Sequence, residues 1–187
     1  MLNLQWEDLD CLEVEGDLEK ILDYSYNAWN LDQRNTRYFV RTFFIKWYLI
    51  IDDFDIEDYE TQEKQLMNMY EYGEKKLLDV TEVKWIIGYC ISLNPEYFMK
   101  QGDNYEEVRI KGDKYLHELA LANPDDIYLK SLDYDFGTEG HSHERYLDWK
   151  RANREQFLLY VEENFNYDSL FSDCFKELIT MDLDKKD

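Results

Sequence analysis

From about residue 17 onward the apolar positions recur at intervals of three and four, the period of helices that bury one face. Leu18, Ile21, Leu22, Tyr26 and Trp29 make the first stripe, and Gly16 before an acidic first turn marks its start, so a helix is predicted from Asp17 to about Asn30. The next begins at Asp32 or Asn35 and carries Tyr38, Phe39, Phe43, Ile45, Trp47, Leu49 and Ile50 nearly all round its axis, the pattern of a helix at the centre of a domain. A third is expected from about Ile56 to Leu78, with Gly73 weakening its last turns. Thr81 reads as the N-cap of a fourth, bearing Val83, Ile86, Ile87, Cys90 and Ile91 and stopping before Pro95. Asp103 or Asn104 opens a fifth that ends at Asn123, where Pro124 takes the first position of the next. After a glycine-bearing loop at 136–143, Ser142 caps one helix through Tyr146, Trp149, Phe157 and Val161, and Asp168 caps a last one with Phe171, Phe175 and Leu178. Residues 1–16 fit an extended arm or a short helix, and 181–187 a frayed tail.

Only 7 Gly and 2 Pro punctuate 187 residues, too few for the turns of an all-β or doubly wound fold. The fold class expected is therefore all-α: one domain over 1–187, either a helical bundle or an irregular array of antiparallel helix pairs. At 44% hydrophobic and 17% aromatic, the chain has ample material for a core. Cys11, Cys90 and Cys174 are odd in number and lack CxxC spacing, so they imply neither a disulfide framework nor zinc. No basic leader and no run of about 18 apolar residues is present, which fits a cytoplasmic protein.

Charge narrows the function. With 42 acidic against 21 basic residues the net charge is −21, and such a field repels phosphate backbones and anionic membranes. Nucleic acid and membrane are thus excluded as ordinary partners, and a basic protein partner is expected. Two clusters are candidates for its contact. Asp52, Asp53, Asp55, Glu57, Asp58 and Glu60 form a run with no basic residue inside it. Asp125, Asp126, Asp133, Asp135 and Glu139 form the second, interleaved with Tyr128 and Tyr134, and tyrosine beside carboxylate suits Arg and Lys side chains. The basic residues fall into two helical sets, Arg34, Arg37, Arg41 and Lys46, and Arg145, Lys150, Arg151 and Arg154, which are expected to pair internally.

No phosphate loop, dinucleotide fingerprint, nucleophile elbow or HExxH is present. His141 and His143 lie two apart, but the remaining histidine, His117, sits on another predicted helix, so no metal and no cofactor is expected and the chain is read as a non-enzyme.

TEVKWIIGYCISLNPEYF (81–98) and YLHELALANPDDIYLKSL (115–132) share a cadence, each an apolar helix running into Asn-Pro, with an offset of 29 residues. This resembles tetratricopeptide-type helix pairs, with Trp85, Gly88, Tyr89, Asn94 and Pro95 as the packing candidates; it implies an adaptor that takes a peptide or protein in a concave groove. In general character the chain also resembles bacterial immunity proteins. That resemblance implies tight binding to a cognate toxin domain and occlusion of its active or substrate site.

Overall fold

The structure is a computed structural model that describes residues 4–52, 58–136 and 143–183, with backbone alone for 133–136 and 143. The described residues form ten α-helices and one 3₁₀ turn, with no strand, as the helical period requires. In chain order they are α1 (Glu7–Glu15), α2 (Leu18–Leu31), α3 (Thr36–Ile51), α4 (Tyr59–Lys76), α5 (Thr81–Leu93), the 3₁₀ turn Pro95–Phe98, α6 (Tyr105–Ala122), α7 (Ile127–Phe136), α8 (His143–Ala152), α9 (Arg154–Asn164) and α10 (Leu170–Thr180). No helix among them is long and apolar enough to cross a membrane.

Local chemistry explains most starts. Asp17 accepts from the Lys20 amide, Asn35 from that of Tyr38, and Asn104 from those of Glu106 and Glu107, each satisfying a donor that the first helical turn leaves open. The segment before residue 17 is a helix, closed by Gly16 in the left-handed region at φ 76°.

Several boundaries differ from the sequence reading. Val80, with no side-chain cap, precedes α5, and Thr81 is already helical. Asp126, not Pro124, starts α7, its carboxylate accepting from the amides of Tyr128 and Leu129 at 3.1 and 2.9 Å. Ser169 caps α10 in place of Asp168, accepting from Ser172. The predicted helix through 143–161 is two, broken at Asn153, whose side-chain amide donates to the Trp149 carbonyl at 2.7 Å. α4 continues past Gly73 to Lys76, and the glycine lets Phe39 approach: a Cβ there would lie 2.5 Å from that ring. The expected cap Ser142 lies outside the described residues, as does 184–187 of the tail.

Successive helices pack on one another from α2 to α7, α7 carries α8 and α9, and α10 returns to α1 and α3. The return closes the array. Phe171 and Phe175 of α10 stand 4.9 and 5.5 Å from Phe44 of α3, and Phe175 lies 4.8 Å from Trp85 and 5.4 Å from Tyr89 of α5, centroid to centroid. Buried rings in offset and edge contact add roughly 0.5–1.5 kcal/mol per pair beyond their burial, so α3, buried nearly all round, is held from both sides. Trp85 and Tyr89 thus pack into an aromatic centre, and Tyr89 also lines an apolar cleft.

Candidate binding site

Of the first acidic run, Asp53, Asp55 and Glu57 lie outside the described residues. Asp52, the C-cap of α3, and Asp58 and Glu60 at the start of α4 are exposed. Tyr48, one turn before Asp52, is hydrogen-bonded to it; burial first, then that bond and the fields of Asp52 and Glu177, push the tyrosine up to about 12. The α3 terminus therefore brings Asp52 into the neighbourhood of Glu177 of α10, an acid that sequence order did not connect to it. Asp58 sits in the left-handed region at φ 58°, which aspartate tolerates better than most residues.

In the second cluster Asp125 is exposed and Asp126 half-buried through its capping role. Tyr160 feels both Asp126 and Glu82 of α5 and, buried among the helices, is raised well above the ordinary phenol range, chiefly by desolvation. Glu82 thus joins Asp125 and Asp126 on one side of the molecule. Tyr128 does not belong to that surface. It is 3% exposed, its ring packs edge-on against Trp85, and its hydroxyl accepts from the Trp85 indole N–H at 3.2 Å. Asp133, Tyr134 and Asp135 fall on the last turns of α7, where the backbone alone is described, and Glu139 lies outside the described residues.

The basic residues complete the electrostatics. Arg41 is fully buried and bonded to Asp10 and Glu13 of α1 at 2.6 and 2.5 Å. Lys46, also fully buried, meets two glutamines where an acid was expected. Lys150 is 5% exposed, donating to the Leu178 carbonyl at 3.4 Å. Against these three buried cations stand two buried carboxylates, those of Asp10 and Asp113, with the covered side chain of the half-buried Glu13 beside Arg41. Buried charges are thus few and of both signs, so the acidic excess of the described residues lies at their surface. At the surface the remaining bases are largely engaged: Lys84 with Glu118, Lys100 with Glu71, Lys111 with Glu74, and Arg109 with Glu106 and Asp113.

An apolar cleft of about 220 Å³ opens elsewhere, among α5, α7, α8, α9 and α10, where Leu132, Phe157 and Ile179 line it with Lys150 and Tyr146. Tyr128 and the half-buried Asp182 also border it. Among the described residues no group of three or more His, Cys, Asp or Glu is placed to hold a metal ion. His141 lies outside them, and of His143 the backbone alone is described. No known protein family, curated protein or solved structure matches this chain.

Proposed function

We propose that the chain is an acidic binding protein that neutralises a cognate basic partner, such as a toxin domain, by covering its active or substrate site. One observation carries the reading: the few buried charges are of both signs, while the surface of the described residues holds their acidic excess. Self-repulsion of such an exterior opposes the compact state, so its use lies in association. Exposed carboxylates occupy the places where substrate phosphates or acidic side chains would sit on the partner, and complementary charge accelerates encounter. For the alternative, an adaptor that takes a peptide or protein in a concave groove, the apolar cleft lined by Leu132, Phe157 and Ile179 is the candidate surface.

The experiment joins the purified chain to a basic toxin domain encoded beside it. Association is expected to slow severalfold between about 50 and 500 mM salt, as the screening length shrinks. Asp125→Lys with Glu82→Lys, or Asp52→Lys with Glu60→Lys, is expected to weaken binding by roughly 1–3 kcal/mol for the surface that makes contact. Binding that ignores salt and both reversals would overturn the acidic-surface mechanism.

A further inference from the structure

Lys46 lies on α3 with no part of its side chain exposed. Its nitrogen donates to Oε1 of Gln62 and Oε1 of Gln65, both at 2.6 Å and both on α4, and stands 4.6 Å from the centre of the Tyr26 ring on α2. No carboxylate among the described residues comes within ion-pair distance of 4.0 Å. This differs from Arg41, one turn away on the same helix, which holds two carboxylates. An amide oxygen accepts from a neutral amine as well as from an ammonium, though more weakly, and the neutral amine still has two N–H groups for the two glutamines. The hydrogen bonds are therefore complete without the charge, whereas among the described residues the charge has the face of the Tyr26 ring but no buried counter-ion.

We propose that Lys46 is a proton-sensitive clamp between α3 and α4: as the neutral amine it holds the first turns of α4 firmly, and as the ammonium it holds them loosely. Those turns follow directly on Asp58 and Glu60, so the clamp sets how rigidly the acidic surface around Asp52, Asp58 and Glu60 is presented. That consequence rests on the binding function proposed above.

The groups around the clamp fix the direction. From α2 come Asp23, whose field favours the ammonium, and the Tyr26 ring; from α4 come the uncharged Gln62 and Gln65. No charged side chain of α5 or α10, the other helices packed on α3, acts on it among the described residues. Desolvation outweighs Asp23 and lowers Lys46 from 10.5 to about 7 while α4 is docked. An undocked α4 exposes Lys46 to water and returns it toward 10.5. Between these values the undocked state holds the extra proton, so rising pH favours docking. Below about 7 both states are protonated, and docking stays at its weakest, constant level.

Amide hydrogen exchange on the full chain alone, corrected for intrinsic rates, tests this. Protection at residues 62–66 of α4 should change less than about twofold from pH 6 to 7, then rise about fivefold from 7 to 8 and about ninefold from 8 to 9. Lys46→Met should show no such rise, and Gln65→Glu, which supplies a counter-ion on α4, should shift the rise upward by a pH unit or more. Parallel curves for wild type and Lys46→Met, or an equal rise throughout α6 and α10, would overturn the proposal. No partner enters the measurement, so its failure leaves the acidic-surface reading intact, and salt-independent partner binding would overturn that reading alone.

Discussion

Gly112 of α6 stands so close to Gly88 of α5 that a Cβ added to Gly112 would lie 2.9 Å from the Gly88 carbonyl oxygen. The same Cβ would come 2.7 Å from the backbone nitrogen of Ser92, and backbone cannot swing aside as a side chain can. The two glycines let α5 and α6 nearly touch.

Gly112→Ala is therefore expected to destabilise the chain by about 3 kcal/mol, because overpacking here exceeds the roughly 1 kcal/mol that alanine gains in helix propensity. Gly88→Ala meets its closest neighbours at 3.1 Å, one of them the mobile end of Leu116, and should cost clearly less. Urea midpoints rank the two. A Gly112→Ala protein as stable as wild type would mean that α5 and α6 do not cross at this point.

Tyr128 offers a test of the boundary between core and interface. Tyr128→Phe removes the acceptor of a buried indole N–H, and about 1–2 kcal/mol of stability should go with it. Association with a basic partner should change less than about twofold. A large loss of affinity with little loss of stability would put Tyr128 back at a surface.

Arg41 pairs with two carboxylates at once. Arg41→Met leaves Asp10 and Glu13 buried without their cation, a change expected to cost about 3–5 kcal/mol. Adding Glu13→Gln to Arg41→Met should recover part of that loss. Chemical denaturation of the two variants at pH 7 decides it, and an unrecovered double variant would show that the arginine acts through packing, not charge.

The opposite result is expected one turn further along α3. Lys46→Met replaces an uncompensated buried amine and should raise stability at pH 7 by about 1–4 kcal/mol. The folded-state pKa of about 7 lies below 10.5, so wild type gains stability as pH climbs through that interval, and the advantage of the variant should shrink toward pH 10. Unfolding curves at pH 7, 8.5 and 10 measure the convergence. An advantage that stays constant with pH would show that Lys46 remains charged in the folded chain.

Much of this architecture is legible from residue order. The all-round apolar pattern of α3 places it at the centre, and Asn35 and Asn104 announce helix starts by the chemistry that caps them. What residue order lacks is the identity of distant neighbours. Arg41 and Lys46 read alike, yet one meets acids from α1 and the other meets glutamines from α4. Tyr128 sits among acids in sequence and against Trp85 in space. The break at Asn153 carries no glycine or proline, since a side-chain bond to the Trp149 carbonyl makes it. Of the acidic surface, the sequence names the residues, but Glu82 and Glu177 join it only through helix packing.

Glu13 of α1 binds Arg41 of α3 through one oxygen and accepts the Phe171 amide of α10 through the other. Those last two partners are 158 positions apart, and a ribosome adding about 5–20 residues per second separates them by roughly ten to thirty seconds. For about the second half of that interval, once α5 is made, the nascent chain carries α3 and α5 without the phenylalanines that will cover Phe44 and Trp85. Each molecule thus leaves synthesis by way of a sticky, half-built state, and a cell short of nascent-chain chaperones would be expected to lose it to aggregation before it ever meets a partner.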